Sequence, residues 1–385
     1  MDKKTFAKSG CQRVGVLMSV NSRDICDEKE IAMKKKVTIQ DIADELGVSR
    51  NTVSKAINNG AGLADATRER ILQKAVEMGY KQFSYYHTMS GVSAPRDFSR
   101  EAGGGREIAL LSAKFLSHSH FASLMLDNFQ QEISELGYAM SMHRVREEHL
   151  KNLILPATFR PERTAGILCI EVFDRPYAEM VCGLGFPALF VDGPAVFGES
   201  ALPADQLYMG NTTEITKFVG EMIRQGKKRI GFVGNRRHCQ SFFERYAAFR
   251  LAMLMNEVPV DERLCVYSNE REEIQAGVRT MNKLPDVFLC ANDFLAMDVI
   301  QGLREIGKSA PEDVWLCGFD DSPESRLISP PLTTVHIHTQ IMAFSAVQLL
   351  LSRIKEPNLD YRTVITQTDL IWRESTNGKP EDNPK

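Results

Sequence analysis

The sequence has almost none of the features expected of an exported, membrane-spanning or metal-dependent protein. Its 385 residues include eight cysteines, at 11, 26, 169, 182, 239, 265, 290 and 317. None forms a C-x-x-C pair and none clusters with histidines, which argues against a zinc site or a disulfide scaffold. No stretch approaches the roughly 18 uncharged apolar residues of a membrane span. The best N-terminal run, Val14 to Val20, is too short and lacks the small-residue cleavage site of a secretory signal. Catalytic signatures are missing too, with no G-x-S-x-G, no H-E-x-x-H and no kinase set. Gly103-Gly104-Gly105 is not followed by the Gly-Lys-Ser/Thr of a phosphate loop. The pairs His118/His120 and His336/His338 could each offer two rings to a metal, but two ligands without a third are usually incidental. No enzyme activity, cofactor or metal is therefore expected, and a reducing cytoplasm is the simplest compartment.

What is present starts with hidden charge. The net charge is only −3, but between Lys34 and Lys81 nine Lys/Arg face six Asp/Glu. That local excess marks the place to look for an anionic partner. Residues 1–33 show no sustained period and read as a disordered arm, and Met33, just before Lys34-Lys35-Lys36, could equally be the translation start. From Thr38 the pattern sharpens. Ile39, Ile42, Ala43 and Leu46 fall at i, i+3, i+4 and i+7, with Thr38 and Asp41 placed as a capping pair and Gly47 as the stop. Ser49 is a natural N-cap for a second helix with Val53, Ala56 and Ile57 on one side, closed by Asn58-Asn59-Gly60. A third helix is expected from an Asp65 cap to Gly79.

Two short helices joined by a tight turn inside a basic segment form the layout of a helix-turn-helix reader, whose second helix meets base edges in the major groove. Arg50 can bond guanine twice, Asn51 can pair with adenine, and Lys55 can reach a guanine or a phosphate. Thr38, Ser49, Thr52, Ser54 and Asn58 suit phosphate oxygens. The competing reading is a three-helix packing module whose polar face is merely solvated.

Residues 83–106 have linker composition. Beyond them, eight strand-like runs (108–113, 138–145, 165–172, 187–192, 229–234, 264–267, 287–291 and 314–319) alternate with helical patterns at 121–136, 212–224, 242–255, 294–306 and 341–354. Such alternation predicts an α/β fold with parallel sheet covered on both faces. So many strands favour two doubly wound lobes with a cleft between them over 107–376. Residues 377–385 read as a disordered tail.

These residues also carry a family resemblance. The run VTIQDIADELGVSRNTVSKAINN from Val37 to Asn59, then Thr67 to Leu72 and Met78-Gly79-Tyr80, closely resembles the DNA-binding domain (34–82) of the lactose-repressor/galactose-repressor family of bacterial transcription regulators. The likeness continues at Arg245 to Phe249, Ala291-Asn292-Asp293, Cys317 to Asp321, Pro330 to Val335 and Leu370 to Thr376. It implies a periplasmic-binding-protein-like effector domain, a homodimer on near-palindromic operator DNA in the nucleoid, and a small, carbohydrate-like effector. By the same resemblance Asp192, Arg245 and Asp293 are the sugar-contacting residues. A planar guanidinium with two carboxylates is suited to vicinal hydroxyls, although an Asp ending a strand is more often a turn or cap. The Asp320-Asp321 pair is expected to bond backbone in a structural role.

Two departures stand out. Gly79-Tyr80 is followed by Lys81-Gln82-Phe83 rather than the family's Pro-Asn and hinge helix, so the counted minor-groove wedge is Met89; the alternative is a flexible linker. The glycine of the family's R-x-x-G-F segment is Ala248 here. A solute-binding protein of a transport system would share the bilobed fold, and an enzyme on two α/β lobes is the third class of function; the DNA head and the absent motifs argue against both.

Overall fold

The computed structural model describes residues 38–57, 63–78, 107–113 and 120–377. The arm, the 83–106 linker with Met89, the closing turn at 58–60 with Asn58, His118 and the tail from 378 lie outside the described residues. The chain divides into two compact units at residues 97/98.

The first unit holds α1 (Ile39–Leu46), α2 (Arg50–Ile57) and α3 (Asp65–Glu77). Thr38 and Asp41 form the expected reciprocal capping box, and Gly47 ends α1 at φ +65°, a left-handed conformation suited to glycine. The Ser49 hydroxyl accepts from the Thr52 amide at 3.0 Å and so caps α2. Ile42, Ala43, Val53, Ala56, Ile71 and Ala75 are buried together, one apolar stripe from each helix. Arg70 reaches from α3 to the Leu46 carbonyl at 3.1 Å, satisfying an end group of α1. The cap of α3 differs from expectation by one position. The Ala64 carbonyl, not Asp65's, accepts from the Arg68 amide, so Asp65 is already inside the first turn.

The second unit has two lobes. In the N-terminal lobe, β1 (Glu107–Ser112), β2 (Ala139–Arg144), β3 (Thr164–Ile170), β4 (Ala188–Val191), β5 (Asp205–Met209) and β10 (Thr363–Thr366) form one parallel sheet, ordered β10-β5-β4-β3-β1-β2. Its central strands are buried on both faces, as at Ile108–Leu111 and Ile167–Ile170, because helices cover each side. The helices of this lobe are α4 (His120–Glu135), α5 (Glu147–Asn152), α6 (Arg175–Cys182) and, returning late in the chain, α12 (Thr339–Lys355), which packs along α4.

The C-terminal lobe carries the parallel sheet β6-β7-β8 (Ile230–Val233, Val287–Cys290, Trp315–Cys317). It is extended by single bridges to an antiparallel pair, β9 (Thr334–Ile337) and β11 (Thr368–Ile371). Its helices are α7 (Thr213–Arg224), α8 (Gln240–Met255), α9 (Arg271–Thr280), α10 (Asp293–Glu305) and α11 (Pro323–Leu327). The chain passes between lobes after β5, between β9 and α12, and between β10 and β11.

The expected strand at 264–267 is reduced to one bridge, Val266 to Val233. The Asp261 carboxylate accepts from the Arg263 amide and winds Glu262–Leu264 into a short 3-10 turn, which takes the chain out of strand geometry.

The fold also fixes β10 through charge. Asp205, fully buried at the start of β5, accepts from Arg353 of α12 at 3.0 and 3.1 Å and from the Arg362 amide and guanidinium at 2.8 and 2.9 Å. Those cations hold its carboxyl below the usual carboxylate range against the opposing effect of burial.

Candidate functional site

Two groups of polar residues stand out, one on each unit. On the first, the capping of α2 by Ser49 sets Arg50 at the first helical position, and burial of Val53 and Ala56 turns Arg50, Asn51 and Lys55 outward, all exposed. Thr52 and Ser54 flank them, half-buried, and Thr38 is exposed at the start of α1. The Ser49 hydroxyl is already engaged with the Thr52 amide and, at 2.7 Å, with the Thr52 hydroxyl. Neither Arg50 nor Lys55 is in an ion pair among the described residues, so both leave their donors to an outside acceptor.

On the second unit, the polar residues converge at the carboxyl ends of parallel strands, the position where open α/β sheets bind ligands. Asp192 directly follows β4 at φ +50° and Glu171 directly follows β3 at φ +56°. Asp320, beyond β8, sits at φ +111°. Side-chain-bearing residues seldom adopt such left-handed conformations, and they concentrate at functional sites. Asp192 accepts from the Ser241 amide at 3.1 Å, joining the N-terminal lobe to the start of α8.

Arg245, one turn into α8 and 3% exposed, is held by three contacts. Its Nε donates to Asn211 at 2.9 Å, a terminal nitrogen donates to the Ala291 carbonyl at 2.6 Å, and its face lies 3.4 Å from the Phe319 ring centre. It approaches Asp320 at 3.7 Å, an ion pair without a hydrogen bond. Burial pushes the Asp192 carboxyl up to about 6, a rise partly offset by Arg245. Burial likewise pushes Asp320 up to about 8, with Arg245 opposing and Asp293, Glu171 and Asp192 adding repulsion.

Asp192 and Arg245 are thus brought together with Asp320 at their centre. Asp293 lies within electrostatic reach but points into the C-terminal lobe. It is fully buried at the start of α10, accepting from the Ser322 amide at 2.8 Å and the Thr334 hydroxyl at 2.6 Å. Burial raises its carboxyl to about 7. Gly318 exists for this contact, since a Cβ there would overlap the Asp293 Oδ1. A row of rings, Phe173 to His238 at 4.9 Å and His238 to Phe242 at 5.3 Å, crosses from the N-terminal lobe to α8.

The expectation for the Asp320-Asp321 pair is corrected. Both side chains engage charged groups rather than backbone. Asp321 pairs with Arg326 and Arg373 at 2.5 Å and with His336 at 2.9 Å. Burial would raise its carboxyl, but these partners hold it well below the carboxylate range. His336 and His338 are taken up by Asp321 and Asp369, and no metal-binding group of three or more occurs among the described residues. Glu171 is missed by the sequence reading, and Asp320 is given only a structural role there; the signal for both was the one used for Asp192, an acidic residue closing an apolar strand.

Comparison with known proteins places both units. Residues 38–82 match the model for bacterial regulatory proteins of the lacI family, and residues 219–376 match a periplasmic binding protein-like domain. The chain is 28% identical over 354 residues to the HTH-type transcriptional repressor PurR of Actinobacillus pleuropneumoniae serotype 3 (strain JL03), covering 88% of this chain and 98% of that protein. It is 26% identical over 356 residues to the HTH-type transcriptional regulator CelR of Thermobifida fusca, covering 89% and 99%. In fold it is similar to the transcriptional regulator CelR–cellobiose complex (TM-score 0.62, 23% identity, 88% of this chain and 100% of that one). It is also similar in fold to the lac repressor dimer bound to operator and the anti-inducer ONPF (TM-score 0.59, 20% identity, 89% and 99%).

Proposed function

The chain belongs to the LacI family of bacterial regulatory proteins, and from that premise we propose that it is a sequence-specific transcription repressor whose hold on operator DNA is set by a small carbohydrate in its interlobe cleft. The observation that carries the reading is the outward set of Arg50, Asn51 and Lys55 on a capped helix with its other side buried. Arg50 and Asn51 have two-bond capacity and read bases, and Lys55 adds a guanine or phosphate contact. Thr38, Ser49, Thr52 and Ser54 fix the register of the helix on the backbone. One head of three short helices makes few contacts, so a two-fold dimer on a near-palindromic site supplies the rest.

In the second unit Asp192 and Arg245, with Asp320 beside Arg245, hold the effector, and Asp293, buried on Ser322 and Thr334, supports the site from the C-terminal lobe. Ligand stabilises one arrangement of the lobes by its differential contacts, and the dimer's heads follow. The relatives PurR and CelR carry regulator names and none suggests an enzyme. No helix among the described residues is long and apolar enough to cross a membrane, and the proposed site of action is the cytoplasm, on the nucleoid. A solute-binding role lacks any use for the exposed Arg50 face.

The test is binding of parent and Arg50→Ala to a duplex selected by the parent from random sequence, and to unselected DNA. The expected loss is about 1 to 3 kcal/mol on the selected site, with relaxed preference at one base pair. An equal loss on both duplexes removes Arg50 from base reading.

A further inference from the structure

The lobes of the second unit are joined by a continuous chain of hydrogen bonds. The segment after β4, residues 192–197 of the N-terminal lobe, lies against the first turn of α8 in the C-terminal lobe. The Gly193 carbonyl accepts from the Gln240 amide at 3.0 Å, and the Asp192 carboxylate accepts from the Ser241 amide at 3.1 Å. The Phe197 and Phe243 rings meet edge to face at 4.9 Å. Gln240 then adds its side chain. Its Oε1 accepts from the Val196 amide at 2.9 Å, and its Nε2 donates to Glu244, one helical turn on, at 3.0 Å. The second Glu244 oxygen accepts from Asn211 at 2.8 Å, and Asn211 in turn accepts from the Nε of Arg245 at 2.9 Å. Asn211 is 2% exposed and lies two residues past β5, where the chain first crosses between lobes.

Chemistry fixes the direction of every link. A backbone N–H and a guanidinium can only donate and a carboxylate can only accept, so neither the Gln240 nor the Asn211 amide can be turned over without setting like groups together. Two donors, the side-chain NH2 groups of Gln240 and Asn211, converge on the two oxygens of Glu244. An amide at that position would turn its own NH2 onto one of them and leave a half-buried donor unanswered. Arg245 belongs to the proposed effector site, so the chain that docks the lobes also orients the guanidinium that a ligand meets.

We propose that Gln240 and Glu244 are positioning residues that clasp the lobes. They tie the segment after β4 to the first crossover and to Arg245, so that docking of the lobes and orientation of the effector site are one linked event on which the hold on operator DNA depends. The regulatory part of this inference rests on the reading of the cleft as the effector site.

The experiment reverses the polarity of the contact in the full-length protein, with Gln240→Glu, Glu244→Gln and the double variant, all of which keep side-chain shape. Gln240→Glu sets two carboxylates face to face, and Glu244→Gln turns an NH2 onto a donor. In the double variant the carboxylate at 240 accepts from Val196 and from the amide at 244, whose oxygen still accepts from Asn211, so every link is restored. Two quantities are read: amide hydrogen exchange over 193–197, and affinity for the duplex selected by the parent. Each single variant is expected to speed exchange by about tenfold, as for a lost hydrogen bond to a charged group, and to shift operator affinity by about threefold or more. The double variant returns both to within about twofold of the parent, a rescue that side-chain volume alone does not produce.

Unchanged exchange in both single variants overturns the clasp. Exchange that rises and is not restored in the double variant overturns the assignment to the Gln240–Glu244 contact. Restored exchange with operator affinity unmoved throughout overturns the link to DNA. No arm uses a saccharide, so a failure of the carbohydrate reading is a separate result. If one single variant fails to fold, the other and the double variant still make the comparison.

Discussion

The two units treat charge in opposite ways. Among its described side chains the head buries six apolar ones from three helices and turns Arg50 and Lys55 outward, with no ion pair for either. The bilobed unit does the reverse, burying Asp192, Asp205, Arg245, Asp293 and Arg353 and answering each with specific partners. A surface for a polyanion must leave its cations unspent, because affinity comes from neutralising phosphates. A pocket for a small polar ligand must hold its groups in fixed geometry out of water, where an unanswered charge is expensive. The first arrangement leaves little core to stabilise the fold, and the second needs a large one.

That contrast can be broken in graded steps. Asp205→Ala has the largest expected effect, because it leaves Arg353 buried without its partner. The bilobed unit should lose about 3 to 5 kcal/mol in denaturant unfolding, and a loss below about 1 kcal/mol would show that the ion cluster is incidental. Ile71→Ala in the head should cost about 2 to 5 kcal/mol, enough to unfold a domain of this size, and should abolish operator binding while calorimetry still detects saccharide. Loss of both activities would mean that the two units do not fold independently. Ser49→Ala removes the cap of α2 for about 1 kcal/mol, so operator affinity should weaken modestly and in parallel on selected and unselected DNA.

The last step is read through pH. Asp192, Asp293 and Asp320, raised by burial to about 6, 7 and 8, hold protons more tightly folded than unfolded. Their contribution to stability is therefore full below the ordinary value of 3.8 and is lost as pH climbs through 6 to 8. Burial lowers His143 and His338, which act in the opposite sense over part of that range. The informative quantity is the difference between parent and Asp320→Asn in melting temperature from pH 5 to pH 8. The mutant slope should be shallower, and identical slopes would place the Asp320 proton elsewhere.

Much of the head was legible because each local signal agreed with the next. The stripe of Ile39, Ile42, Ala43 and Leu46 lies between the Thr38–Asp41 box and Gly47, and the structure keeps all three. In the bilobed unit β1 to β4 and β6 to β8 were read, whereas β5, β9, β10 and β11 were not. Asp205 opens β5 with a charge, and the four-residue Thr363–Thr366 alternates exposed and buried positions at a sheet edge, so neither shows the apolar run of a central strand. The helix Arg175–Cys182 carries a proline in its first turn and spans only eight residues, too short for its period to register. Asp320 was read as a structural residue because its place beside Arg245, with Asp192 and Glu171 within electrostatic reach, is set by tertiary structure.

The late return of α12 and β10 to the N-terminal lobe has a consequence in time. That lobe begins at Glu107, yet its edge strand and the Arg353 and Arg362 that answer Asp205 are made only after the whole sheet of the other lobe except β11. During synthesis the first five strands must wait, with a buried-to-be carboxylate and an open edge, for more than 150 further residues to emerge. The three described helices of the DNA head are complete by Glu77 and face no such delay. A chain ending near residue 340 would carry a finished reading head on an effector unit without its edge strand, and ribosome-stalled chains with a C-terminal linker long enough to clear the exit tunnel should differ sharply in protease resistance at β5 according to whether they end before or after 366.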